Sequence, residues 1–248
     1  MKLLTFRSLD LEIKLPAFVN IIGHISSERD SILKKLINRI PDNNIYFDNQ
    51  PATSYSIDYK KKNIAVCLHE FNFRTEYVKE ELLYYQEKIG LSIFSKFESL
   101  KNISRAFDLD EMLDSKIEYL TLSEKALIKI LSLLIIKPKV LGIEDLLTYL
   151  ELDVKIKIVK YAKENEISIL NVTSNSEELL LGSHTAVFGS TGLILYNQTK
   201  KVLEEEKVLS SIGFSLPFIV SLSNGLNYYD ILNKQYFDEK SLIGAIWK

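Results

Sequence analysis

Apolar residues are densest at residues 123–137, where they occupy almost every face of a predicted helix. We therefore expect this helix to lie inside the domain and not on its surface. Pro138 ends it, and residues 140–143 then form a short apolar run, which is typical of a central parallel strand. Glu144 and Asp145 follow at the carboxyl end of that strand, where open α/β sheets place their chemistry. This order of helix, buried strand and two acids predicts a nucleotide-binding core.

The rest of the chain alternates strand and helix patterns in the same way. Predicted strands cover residues 3–6, 11–15, 18–22, 45–47, 64–68 and 167–172, and a closing hairpin covers 187–196. Predicted helices cover residues 32–40, much of 75–114, and 152–163. The alternation predicts the α/β class, with a mostly parallel sheet flanked by helices and a β edge at the amino terminus.

The turn between the strand at 18–22 and the helix at 32–40 has the context of a phosphate-binding loop. An intact loop reads Gly-x-x-x-x-Gly-Lys-Ser/Thr, in which backbone amides and the lysine hold phosphates and the hydroxyl holds magnesium. Here Glu28 replaces the second glycine, Arg29 the lysine and Asp30 the hydroxyl residue. The candidate loop residues are Gly23, Ser26, Ser27, Glu28, Arg29, Asp30 and Ser31.

The two carboxylates of this loop favour a structural interpretation over triphosphate binding. Glu28 and Asp30 lie at the start of a predicted helix, where free amides and the helix dipole would otherwise attract phosphate. Residues 27–30 form a variant of the capping box, with Ser27 as the N-cap and an acid three residues later. We therefore expect no cofactor, although ATP and magnesium are the ligands that an intact loop would bind.

The layout of residues 119–153 resembles the ATPase subunits of ABC transporters, and the whole chain resembles the energy-coupling factor type, which drives vitamin and metal uptake. The family signature Leu-Ser-Gly-Gly-Gln is replaced here by Leu120, Thr121, Leu122, Ser123 and Glu124. The same segment from Thr121 to Glu124 is a regular capping box for the buried helix. The family's two glycines admit a partner's γ-phosphate, an approach that the bulk of Leu122 would block. The resemblance implies the P-loop NTPase-like ABC ATPase fold.

Four further positions carry residues that differ from those of the family. The family has an Asp-Glu pair that holds magnesium and orients water, and here the order is reversed as Glu144 and Asp145. His69 stands where the family has a glutamine that contacts magnesium. Ser174 stands where the family has a histidine that contacts the γ-phosphate. Phe6 is the only candidate for the family's adenine-stacking aromatic residue. Since each such loss removes transition-state stabilisation, the resemblance predicts a pseudo-ATPase without catalytic residues.

The resemblance also divides the chain. An ABC ATPase-like domain is predicted at residues 1–207, with an inserted helical subdomain at about 75–118, and a helical extension at 208–248. In the family, a groove on the subdomain holds a coupling helix of the membrane subunit. Glu76, Glu80 and Glu81 could form an acidic rim that suits an arginine-bearing helix, or they could face water beside aromatic packing residues. The family extension helps two ATPase subunits associate, and here it contains Phe214, Phe218 and Trp247.

Composition and charge exclude several other classes. The chain has 31 basic and 33 acidic residues, and this net charge of −2 argues against nucleic acid as a partner. A single cysteine, Cys67, lies in an apolar run and predicts a packed thiol in a reducing compartment. His24, His69 and His184 share no metal-ligand spacing, so no metal site is expected. No signal peptide or membrane-spanning run is recognisable, which predicts a cytoplasmic protein that reaches the membrane only through partners.

Three functional hypotheses follow. The first is a catalytically impaired subunit of an energy-coupling factor-type transporter, in a homodimer or heterodimer with an ATPase subunit of the same family and bound to a membrane coupling subunit. The second is a soluble scaffold or regulator that kept the fold without transport. The third is a divergent ATP-binding, ATP-hydrolysing subunit that uses Glu144, Asp145 and Arg29 in new roles.

Overall fold

The computed structural model describes residues 1–24 and 27–247. Its strands are β1 (Leu3–Phe6), β2 (Leu11–Lys14), β3 (Phe18–Gly23), β4 (Ile45–Phe47), β5 (Gln50–Pro51), β6 (Ile64–Cys67), β7 (Val140–Glu144), β8 (Ser168–Val172), β9 (His184–Gly189) and β10 (Gly192–Gln198). Its helices are α1 (Arg29–Leu36), α2 (Ile57–Asn63), α3 (Val78–Lys88), α4 (Ile93–Phe107), α5 (Leu122–Leu134), α6 (Leu152–Glu164), α7 (Thr199–Glu204), α8 (Glu206–Ser211), α9 (Phe218–Tyr228) and α10 (Glu239–Ile246).

The larger sheet has the strand order β10-β9-β3-β8-β7-β6. All neighbours in it are parallel except β9 and β10, which form the predicted closing hairpin. Strands β3 and β8 are buried along their whole length, because helices cover both faces of a parallel sheet. The predicted α/β class and mostly parallel sheet are confirmed.

The amino-terminal β edge is a separate antiparallel sheet with the order β2-β1-β4-β5. Leu4 and Phe6 alternate with less buried neighbours on β1, and both have 0% exposure. The suggestion that Phe6 stacks on adenine is therefore wrong, because its ring faces the core and has no surface left for a ligand.

The densely apolar helix lies inside the domain as predicted. On α5, the residues from Ile128 to Leu134 are all buried. The helix ends earlier than the predicted Lys137, which adopts a left-handed φ of 50° just before Pro138. The helix predicted at 32–40 also ends early, at Leu36, and Asn38 follows with a φ of 60°.

Helices α3 and α4 occupy the region predicted to be helical between residues 75 and 114. Glu81 on α3 is fully buried and accepts hydrogen bonds from the amides of Arg74 and Thr75 at 2.8 and 3.0 Å. The expectation of an acidic rim that includes Glu81 is therefore wrong, because this carboxylate instead satisfies the backbone that enters α3.

The carboxyl-terminal helices pack on strands β3 and β9 of the larger sheet. Leu209, Val220 and Leu242 share an apolar cluster with Ile22 of β3 and Val187 of β9. Phe214 is also buried in this cluster. In contrast, Phe218 and Trp247 are exposed, the latter by 83%. In the part of the chain that the structure describes, no helix has the length and apolar character that crossing a membrane requires.

A buried polar network ties the sheet to the segment before β9. Glu178 has 0% exposure, and its Oε2 accepts a hydrogen bond from Asn171 Nδ2 at 2.9 Å. Lys155 Nζ on α6 lies 3.6 Å from the other carboxylate oxygen. Asn20 Nδ2 completes the network by donating to the carbonyl of Leu179. Because both charges are withdrawn from water, removing either residue would leave the other as an uncompensated buried charge.

Glu178→Gln should lower the free energy of unfolding by about 3–5 kcal/mol, because it leaves the Lys155 ammonium buried without a counter-charge. Lys160→Met on the same helix is the matched control, since its pair with Glu164 is exposed and should contribute less than about 1 kcal/mol. Urea unfolding of both variants measures the difference. Equal losses would contradict the assignment of a buried pair.

Cys67 should be unreactive in the native protein. Burial raises the pKa of its thiol to about 12, so almost no thiolate is present at pH 8. A chromogenic disulfide reagent at pH 8 should leave native Cys67 untouched and modify it fully in guanidinium chloride. Rapid native reaction would show that the strand end carrying Cys67 opens to solvent.

Candidate functional site

The carboxyl ends of β3, β7 and β8 bring the predicted site residues to one edge of the larger sheet. Gly23 ends β3, and Glu144 ends β7 with Asp145 directly after it. Ser174 follows β8, and His69 follows the neighbouring strand β6. This is the edge at which open α/β sheets bind ligands.

Gly23 is required by strand packing. A Cβ atom at this position would lie 2.5 Å from the carbonyl oxygen of Phe188 on β9 and 2.8 Å from the Cβ of the same residue. The amide of His24 donates to that carbonyl at 3.0 Å, which holds the two strand ends together. The glycine therefore has a structural reason to be present that does not involve phosphate.

The capping box predicted for residues 27–30 is wrong. Helix α1 begins at Arg29 and its N-cap is Glu28, which makes no side-chain capping bond. Among the described residues, the buried Ser27 hydroxyl has no hydrogen-bond partner, while the Ser27 amide donates to the carbonyl of His24 at 3.0 Å. Ser26, another candidate loop residue, lies outside the described residues.

The carboxylate of Glu28 is held by side chains further along α1. Its Oε2 accepts hydrogen bonds from Lys35 Nζ at 2.5 Å and from Ser31 Oγ at 3.0 Å. The bond from Lys35 is the main reason why the pKa of Glu28 is lowered. This competition explains why Glu28 does not cap the helix, because Lys35, seven residues further along, offers an ionic partner.

Arg29, which was compared above with the lysine of a phosphate-binding loop, is turned into the protein. Its side chain is 10% exposed, and Nε donates to Asp30 Oδ1 at 2.9 Å. One terminal nitrogen donates to the carbonyl of Thr173 and the other to Ser174 Oγ, both at 3.3 Å. The guanidinium therefore joins the start of α1 to the segment that follows β8.

The two acids after β7 are bonded to backbone amides of neighbouring loops. Glu144 Oε2 accepts from the amide of His69 at 3.1 Å. Asp145 Oδ1 accepts from the amide of Ser174 at 2.8 Å. Asp145 holds a left-handed φ of 51°, which aspartate adopts more readily than most residues, and its own amide donates to Val172.

An open cleft lies beside these acids, lined by His69, Asp145, Thr148, Ser174, Asn175 and Ser176. Asn175 Nδ2 donates to Thr148 Oγ1 at 3.3 Å across it, and the exposed His69 ring is 6.0 Å from the ring of Tyr149. Sequence analysis did not identify Thr148 or Asn175 as cleft residues. Within the described ranges, no three His, Cys, Asp or Glu side chains come together as a metal site would require.

The segment compared above with the family signature, residues 120–124, has internal hydrogen bonds. The predicted capping box is confirmed: the Thr121 amide donates to Glu124 Oε2 at 2.8 Å, and the Glu124 amide donates to Thr121 Oγ1 at 3.3 Å. The bond from the Thr121 amide is the main cause of a lowered pKa at Glu124. Leu122 is 58% exposed at the start of α5, while Leu120 and Ser123 are half-buried on either side of it.

No protein-family model matches the chain. The chain is similar over most of its length to the energy-coupling factor transporter ATP-binding protein EcfA1 of Mycoplasmopsis synoviae (strain 53). The two are 22% identical over 249 residues, which cover 97% of this chain and 92% of that protein.

Two solved structures have a similar fold. The first is cbiO1 from Clostridium perfringens, described as part of the ABC transporter complex cbiONQ, with a TM-score of 0.67, 19% identity, and coverage of 82% of this chain and 86% of that one. The second is the dimeric ATP-binding cassette MJ0796 in a post-hydrolysis state bound to ADP and Pi, with a TM-score of 0.64, 14% identity, and coverage of 77% and 89%. The chain thus has the ABC ATPase fold and is a low-identity homologue of energy-coupling factor transporter ATP-binding proteins.

Proposed function

We propose that this chain is a non-hydrolytic subunit of an energy-coupling factor-type transporter, which pairs with an ATP-binding subunit and binds a membrane subunit. The near full-length similarity to transporter ATP-binding proteins supports the transporter assignment. The hydrogen bonds that the candidate site residues make with one another support the loss of catalysis.

The position of Arg29 carries the proposal. A lysine in this place must reach the outer phosphates of the nucleotide. The guanidinium of Arg29 instead donates to Asp30, Thr173 and Ser174. Binding a phosphate would break these bonds in a buried place, where unpaired polar groups are costly.

The charges at the start of α1 also do not fit a triphosphate. Glu28 and Asp30 place two carboxylates where the amides and dipole of the helix would attract an anion. Lys35, at the far end of the helix, is bound to Glu28 and lies 3.7 Å from Asp42, so its charge is offset. A magnesium-triphosphate would meet repulsion at this loop.

The acids after β7 and the segment at the start of α5 fit the same proposal. Glu144 and Asp145 are each engaged by an amide of the loop beside them. Leu122 places an exposed side chain where the family has a glycine that a partner's nucleotide approaches. A subunit of this kind would act through association and not through hydrolysis.

The carboxyl-terminal helices offer a surface for association. Phe218, Tyr228, Tyr229 and Trp247 are all exposed by more than two thirds. Exposed aromatic residues of this kind are typical of protein interfaces. The similar dimeric cassette is consistent with a paired arrangement, in which either a second copy or a related subunit could be the partner.

The purified chain should not bind magnesium-ATP. Calorimetric titration to about 1 mM should give no binding heat, and the melting temperature should stay unchanged. A ligand that binds only the native state would add about 2.7 kcal/mol to the free energy of unfolding at 100 times its dissociation constant. Binding with a matching thermal shift would contradict the proposal and favour a divergent ATPase.

Restoring the loop should restore binding. The variant Glu28→Gly, Arg29→Lys, Asp30→Ser removes both carboxylates and supplies the lysine and hydroxyl that a phosphate loop needs. We expect a dissociation constant below about 1 mM for magnesium-ATP. Arg29→Lys alone is the control and should not bind, since both carboxylates remain. Equal binding by the native chain and the triple variant would show that these residues do not decide nucleotide affinity.

A further inference from the structure

A groove with a basic rim runs between the edge strand β6 and helices α3 and α5, away from the candidate nucleotide site. It encloses about 350 Å³, enough for a few side chains of a partner but not for a folded domain. Its floor is apolar and aromatic, with Val66, Tyr84 and Tyr85 among the lining residues. Three cations line it, Lys61, Arg74 and Lys88, and we call this feature the basic groove.

The cations of the basic groove lack acidic partners. Lys61, Arg74 and Lys88 are exposed, and among the described residues none of them forms a salt bridge. Other lysines of the same region are neutralised: Lys96 is paired with Glu87, and Lys116 with Glu76. The basic groove therefore presents three positive charges to a partner, and no acidic side chain is among its lining residues.

The acids that sequence analysis placed near this region do not line the groove. Glu81 is buried against the amides of Arg74 and Thr75, and Glu76 is paired with Lys116. No aspartate or glutamate is among the lining residues. The charge that the groove offers to a partner is therefore positive, which is the opposite of an acidic rim.

The floor of the basic groove would contact apolar side chains of a partner. The rings of Tyr84 and Tyr85 meet edge to face, with centroids 5.1 Å apart, and Lys88 Nζ lies 5.1 Å from the centroid of Tyr84. Aromatic side chains with polar tips are common in protein interfaces, because they bury much area and still make hydrogen bonds. A partner that fits must bring apolar side chains to this floor and negative charge to its margin.

An amphipathic helix meets both requirements. The cations come from three separate elements that meet at the groove, namely α2, the loop before α3, and the end of α3. A helix with an apolar stripe flanked by acidic residues presents matching charges on both sides of its buried face. A nucleic-acid backbone would need a longer track of cations than these three.

We infer that the basic groove docks an amphipathic helix of a partner protein, with aspartate or glutamate flanking its apolar stripe. The inference rests on the proposed function in so far as the partner is the membrane subunit. The proposed helix is acidic, unlike the arginine-bearing helix that an acidic rim at Glu76 and Glu80 would suit. Charge complementarity would then set which membrane subunit this chain accepts.

The test uses two fluorescent synthetic helices of about 18 residues, long enough to be helical in water. They share one leucine stripe, flanked by glutamate in the first peptide and by lysine in the second. Fluorescence anisotropy with the full-length native chain should show the glutamate peptide binding at least about tenfold more tightly, by a margin that shrinks as salt rises.

A charge-reversal variant provides the second arm. Lys61→Glu, Arg74→Glu, Lys88→Glu should bind the glutamate peptide at least about tenfold more weakly than the native chain and should now prefer the lysine peptide. The matched control is Lys101→Glu, Lys201→Glu, Lys207→Glu, which changes the net charge equally at exposed lysines elsewhere and should bind like the native chain. Thermal unfolding of both variants confirms that they fold.

Equal affinity for the two peptides, or an equal effect of both triple variants, would overturn the inference. Tighter binding of a single-stranded RNA than of the glutamate peptide would also overturn it, in favour of a phosphate ligand. The proposed function fails separately, because it depends on magnesium-ATP binding and the peptide assay contains no nucleotide. A chain that binds ATP could still prefer the acidic helix, and a chain that binds no ATP could still reject it.

Discussion

The guanidinium of Arg29 joins the start of α1 to the segment after β8, and the arrangement of the candidate site depends on it. It donates to Thr173 and Ser174 on one side and to Asp30 on the other. Ser174 in turn donates its amide to Asp145, so the bonds continue from α1 through β8 to the end of β7. The polar groups at this edge of the sheet therefore satisfy one another's hydrogen bonds within the protein.

The rest of the fold brings the residues of this hydrogen-bond network together. Buried parallel strands bring the ends of β3, β7 and β8 to one edge, and the packing of Gly23 against Phe188 allows β3 to lie close to β9. The buried helix α5 packs against the sheet, and the thiol of Cys67 on β6 donates a hydrogen bond to the carbonyl of Lys129 on this helix. The scaffold positions the loops without deciding what they bind.

Local signals in the sequence were sufficient for most of the elements. The apolar runs predicted β3, β7 and β8, and the pattern Thr-x-x-Glu predicted the capping box at Thr121, because its partners lie three residues apart. The capping box predicted at Ser27 failed, since the N-cap is Glu28 and the carboxylate of Asp30 accepts a hydrogen bond from Arg29. The partners of Arg29 lie 144 and 145 residues along the chain, a distance at which no local pattern carries information. For the same reason, no local pattern indicated that the basic groove is positively charged, because its cations come from three separate elements.

In our proposal, the chain fills its own phosphate site. A crystal structure of the purified chain, grown with magnesium and a non-hydrolysable ATP analogue at millimolar concentration, would show this site in the presence of the ligand. We expect Arg29 in contact with Thr173 and Ser174, Glu28 in contact with Lys35, and no nucleotide at the start of α1. A triphosphate at that helix, with Arg29 turned towards it, would show instead that the chain binds nucleotide.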